Sequence, residues 1–257
     1  MRTIAVVNES TLVGEEEIGR CLEALQTQVS RDFADTWGID ARLRSAADPE
    51  DEEEILYLFD DHNQAHSAGG FDPQAWWRPC GYVFVRTCLD RGGAWQTRVS
   101  HELLEMLADP LIHLAAEGPV PGSCQGPGQR PAQDAALFAL EVCDPVGGED
   151  YEINGVPAAN FVLPTWFSTG RLPDEALVDF LGRLAEPFTL TPCGYATWCT
   201  QIGRWQTWFA KRCPKPHRDI SRYSRRRRRM QPAAADCARH QSQTEAQAPP
   251  WACTNAT

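Results

Sequence analysis

The sequence predicts an α+β fold: a small twisted mixed sheet carrying a long N-terminal helix and a central helix, then a disordered C-terminal tail. Three observations lead there. Short β-branched runs recur before residue 90, an apolar stripe of helical period fills residues 15–36, and the composition changes character beyond residue 213.

The elements follow in order. Residues 3–8, TIAVVN, are apolar and β-branched and end at Asn8 and Glu9, which predicts a buried strand. In residues 15–36 the positions Ile18, Cys21, Leu22, Leu25, Val29 and Phe33 recur at three and four, and Glu15 to Glu17 suit the positive end of a helix. Gly38 is a natural stop. Ile39–Leu43 alternates as a second strand, and the acidic run Asp48–Glu54 predicts a solvated loop. Ile55–Phe59 is a third strand, Asp60–Pro73 a turn-rich loop holding His62 and His66, and Gly81–Thr87 a fourth strand. The loop LDRGGAWQTR then leads into the central helix, for which Ser100 is the predicted N-cap and Pro110 the stop.

Residues 115–136 are rich in Gly, Pro and Gln and predict a flexible loop. Leu137–Val142 returns as a strand, and Asn154-Gly155 marks a two-residue hairpin. Leu177, Phe180, Leu181 and Leu184 predict a short helix over Pro173–Ala185, with a last strand at Phe188–Leu190. The expected organisation is one domain over 1–195, an aromatic extension over 196–212 and a basic, low-complexity tail over 213–257.

With 257 residues, 42% hydrophobic and 23% charged, the chain belongs among ordinary globular proteins. Residues 1–190 carry 32 acidic and 12 basic side chains, and residues 191–257 carry 3 and 12, so an acidic body (−20) precedes a basic tail (+9). Arg225–Arg229 in that tail is a candidate nucleic-acid contact through phosphate charge, against the alternatives of a solvated tail or one paired with the acidic body. The first residues hold only the short apolar run IAVV, and no window approaches the ~20 apolar residues of a membrane span. A cytoplasmic protein with no membrane partner is expected. The ten cysteines contain no C-x-x-C pair, which argues against a zinc ribbon and, without a secretory signal, against a disulfide framework.

The chemistry concentrates in SHELLEMLADP, residues 100–110. Residues four apart share a helix face, so His101 and Glu105 project together and are able to share one metal ion. Glu102 beside them is placed to take a proton from metal-bound water. This is the logic of the His-Glu-x-x-His zinc helix with a Glu in the last place. The bland alternative is a solvated acidic helix. A zinc enzyme usually supplies three protein ligands. Glu141 is the preferred third, Asp144 is a second candidate with a turn-forming role before Pro145, Asp109 suits the helix end, and His113 is the weakest candidate.

SHELLEMLADP, EVCDPV, the YEINGV hairpin and NFVLPTWF, with VVNEST and GYVFVRT, resemble an uncharacterised zincin-like family of bacteria and their phages and prophages. The resemblance spans residues 3–195. It implies a metallopeptidase-like α/β fold, a zinc or other divalent ion, a peptide or protein substrate, and His101, Glu102, Glu105, Glu141 and Asp144 as the residues of interest. It also admits a non-catalytic phage or prophage protein on the same scaffold, with virion association.

Overall fold

A computed structural model describes residues 1–49, 54–67, 79–121, 135–199 and 205–210. The Arg225–Arg229 run and the expected disordered tail lie outside the described residues, as do Cys124, Cys213, Cys237 and Cys253. The architecture is α+β, with three separate sheets.

The first sheet contains β1 (Arg2–Asn8), β2 (Ala41–Ser45), β3 (Glu54–Phe59) and β4 (Cys80–Phe84), in the order β2-β1-β3-β4, and every pair is parallel. The expected single mixed sheet is corrected here: parallel and antiparallel pairs lie in different sheets. The reason is visible in β1. Ile4, Ala5, Val6 and Val7 are all buried, on both faces, as a continuous apolar run in a parallel strand should be.

Between β1 and β2 runs one long helical segment. It is α1 (Glu15–Thr27), a π-helical turn over Gln28–Phe33, and a short α2 (Ala34–Trp37). Glu17 closes the N-terminus by accepting the Gly14 N–H at 3.2 Å. At the C-terminus Gly38 takes φ 66°, the left-handed conformation that suits glycine, and its N–H reaches the Ala34 carbonyl at 2.9 Å. The π turn was not legible in the apolar stripe.

The strand expected over Gly81–Thr87 ends at Phe84, and Arg86 and Thr87 belong to α4 (Val85–Asp90). The loop expected after β3 contains the short helix α3 (His62–Ser67). The central helix, α5 (Trp95–Ala108), begins five residues before Ser100. Trp95, Val99 and Leu103 repeat at four and are all buried, so the apolar face reaches further back than the cap signal. Ser100 is not a cap; it is fully buried inside the helix.

The second sheet is antiparallel, β10-β9-β6-β5, from β5 (Ala115–Pro119), β6 (Ala135–Ala139), β9 (Tyr195–Cys199) and β10 (Trp205–Phe209). Residues 115–119, expected as loop, form its edge strand, a place where proline is tolerated. The aromatic stretch after Pro192 is a hairpin paired to β6 through Leu137↔Cys199 and Phe138↔Trp198. The Asn154-Gly155 signal holds, joining β7 (Asp150–Ile153) to β8 (Val156–Ala159), which packs on α5.

Pro173–Ala185 is not a helix. The buried Asp179 carboxylate accepts from Asn160 Nδ2 and from the Leu184 backbone N–H, both at 2.7 Å, and this side-chain capture of the backbone competes with a helical ladder. Nor is Phe188–Leu190 a strand: Phe188 sits at φ 52° and turns its ring onto Phe138 and Trp166. Among the described residues no helix is long and apolar enough to cross a membrane, and the described cysteines are all free thiols.

One polar network ties these layers together. Ser100 Oγ donates to Gln28 Oε1 at 2.6 Å and accepts the Ala159 N–H at 2.9 Å. Gln28 Nε2 donates to the Ala159 carbonyl and to Tyr151, whose hydroxyl donates to Asp32. Ser100→Ala leaves two buried groups without their partner, each worth about 1–3 kcal/mol. Denaturant unfolding is expected to show a loss of about 2–6 kcal/mol. A chain ending at residue 212 keeps β10 and should melt with the full chain. One ending at residue 194 removes the neighbour of β6 and should melt well below it or aggregate.

Candidate metal centre

Most of α5 is buried, and its histidine and carboxylates lie inward while Arg98 is exposed. His101, Glu102 and Glu105 are 8%, 5% and 4% exposed, which excludes the solvated-face alternative. The C-terminal end of the helix is fixed by Arg2, whose Nη1 and Nη2 donate to the Leu107 and Met106 carbonyls while Nε and Nη2 pair with Glu54.

His101 Nε2 lies 3.0 Å from Glu105 Oε1 and 3.2 Å from Asp144 Oδ1. Two donors each about 2.0–2.1 Å from a tetrahedral zinc lie about 3.3 Å apart, so these separations fit a shared ion. Ligand atoms of His101, Glu102 and Glu105 fall within 4.8 Å of one another, and so do those of Glu105, Glu141 and Asp144. The fold thus gathers all five residues named from the sequence around Glu105. The order of preference changes, however. Asp144 opens a short 3₁₀ turn, Asp144–Val146, that aims its carboxylate at His101, while Glu141 is half-buried and joins through Glu105 and Asp144.

The two weaker candidates lie elsewhere. Asp109 ends α5 and accepts the N–H groups of His113 and Leu114 at 3.0 and 2.8 Å, a helix-end role. His113 is exposed and faces Asp109 alone among these residues. Of the loop pair, His62 of α3 packs near Phe84 and belongs to neither of the two ligand groupings found among the described residues.

Two participants were not anticipated. Arg98, one turn before Glu102, pairs with its carboxylate. An Arg four residues before a Glu is a readable helical pair, but it was hidden by placing the helix start at Ser100. Tyr195, from β9, hydrogen-bonds Asp144. No local pattern marks it, because the contact depends on how the second sheet returns to the helix.

Electrostatics follow from this crowding. Burial lowers the basicity of His101, but the charge of Glu105 and the close carboxylates of Asp144 and Glu105 outweigh it, leaving a pKa of about 9. Burial, then the charge of Glu105, raises Asp144 to about 7. Cys143 is buried alongside, and burial with the charges of Glu105 and Asp144 pushes its thiol well up, so it stays protonated.

No known protein family, curated protein or solved structure matches the chain. The reading of the site therefore rests on its own geometry.

A pH dependence follows. His101 and Asp144 both hold protons more tightly folded than at their ordinary values of 6.5 and 3.8. The folded metal-free chain then binds more protons than the unfolded chain, and its stability falls as pH rises. The Asp144 contribution is lost through about pH 7 and the His101 contribution through about pH 9. Calorimetry of metal-free protein should give a higher Tm at pH 6 than at pH 9. Zinc, which replaces the protons, should narrow the gap and bind more tightly as pH rises.

Proposed function

We propose that the chain is a zinc-dependent hydrolase of metallopeptidase type on a zincin-like scaffold, acting on a peptide or protein. The observation that carries this reading is the buried His101 imidazole, 3.0 and 3.2 Å from the carboxylates of Glu105 and Asp144, with Glu102 alongside.

His101, Glu105 and Asp144 would hold the ion, with Glu141 as a further carboxylate in reach. When bound, zinc supplies Lewis acidity and lowers the pKa of water. Glu102 takes up the proton released by the attacking water at a carboxylate oxygen and returns it to the leaving amine. Arg98 pairs with that carboxylate and fixes its orientation for the transfer. A donor set with one imidazole and several carboxylates makes the ion a weaker Lewis acid than two imidazoles do, which favours slow turnover. The deep burial of the donors favours a second reading, a structural ion on a non-catalytic scaffold.

Metal analysis and a peptide-library assay separate these readings. Purified protein should hold close to one zinc, and His101→Ala should lose it. Glu102→Gln should keep the zinc and lose hydrolysis by roughly 10²–10⁴-fold. Equal background metal in wild type and His101→Ala after dialysis defeats the metal site. Zinc in the wild type without cleavage of any peptide selects the structural ion.

A further inference from the structure

We propose that Tyr195 is a positioning residue for the metal ligand Asp144, which makes the β9–β10 hairpin part of the metal centre. The inference rests on the metal-centre reading above and extends it to a residue outside the motif.

Asp144 meets His101 through Oδ1, at 3.2 Å. A carboxylate on a single turn of 3₁₀ helix has rotational freedom, so a second contact is needed to fix which oxygen it presents. The Tyr195 hydroxyl makes that contact by donating to Asp144. A phenol keeps its proton at neutral pH, so it serves as the donor.

The backbone around Tyr195 is built against the same turn. Thr191 N and Oγ1 donate to the Pro145 carbonyl at 3.0 and 3.4 Å, and Oγ1 also reaches the Gly147 carbonyl at 3.3 Å. Gly194 lies so close that a Cβ there would stand 2.0 Å from the Pro145 oxygen. On the other side Tyr195 pairs in register with Phe209, their rings 5.9 Å apart. The chain from Thr191 to Tyr195 therefore clamps the Asp144–Gly147 turn and carries the hydroxyl to the ligand. Outer hydrogen bonds of this kind orient a metal ligand and typically contribute about 10–100-fold in metal affinity.

The test is Tyr195→Phe in the full chain, titrated with zinc beside the wild type at one pH, with cobalt(II) absorbance as a second readout. Expected are zinc affinity lower by about 10–100-fold and an altered cobalt spectrum, with the metal-free Tm lowered by the loss of one buried hydrogen bond. Equal affinity with an identical spectrum overturns the proposal while leaving the metal centre standing. A wild type that takes up no zinc overturns the metal centre and this role together. A fall in metal-free Tm with unchanged affinity assigns Tyr195 to packing and also overturns it. Should the phenylalanine chain not fold, Tyr195→Met fills the space without an oxygen and takes the same reading; failure of both to fold shows a structural residue and overturns the proposal.

Discussion

Like charge held out of water is the constraint around which this molecule is arranged. Glu102, Glu105 and Asp144 are each nearly enclosed by protein, and buried carboxylates are tolerated only with partners. The partners arrive from different directions. Arg98 and His101 come from the helix itself, and Tyr195 comes from the second sheet. Two protons, on His101 and Asp144, complete the balance at low pH, and under the proposed metal reading a divalent ion would displace them. A cluster that served only packing would be simpler with apolar residues.

The placement of α5 requires equal strictness, because a buried charge that shifts by an ångström loses its partners. Ser100 supplies it. Its hydroxyl is the meeting point of the long N-terminal helix and the β7–β8 hairpin, and it directly precedes His101. This hydrogen-bonded network, whose carboxylate Asp32 is paired with Arg31, keeps the helix from rotating about its axis.

The sequence was most informative where structure follows from local pattern. The IAVV strand, the stripe from Ile18 to Phe33, the Asn154-Gly155 turn and the His101/Glu105 spacing each encode their conformation within a few residues. Elements fixed by distant partners were illegible. Ser100 looked like a cap because its real partners, Gln28 and Ala159, are 72 and 59 positions away. The stripe at Leu177–Leu184 looked helical because nothing local shows that Asp179 binds Asn160 and the Leu184 N–H. Residues 115–119 were read as loop because an edge strand tolerates proline. At the site, the motif residues were legible, whereas Arg98 and Tyr195 depended on a helix start and a strand return that composition does not reveal.

The π turn at Gln28–Phe33 has a consequence for how the chain can change over time. Its wider winding carries an i to i−5 bond, from the Ala34 N–H to the Val29 carbonyl. Gln28 and Asp32, four residues apart, share one face of this segment, where both meet Tyr151. The wide turn holds about one residue more than an α-turn would. Removing one residue within it would restore an ordinary helical ladder and leave the helix on either side in its present rotational phase. Removing one from α1 would instead rotate everything on one side of the cut by about 100° relative to the other. The turn is therefore the place where the length of this segment is open to drift, and α1 is not.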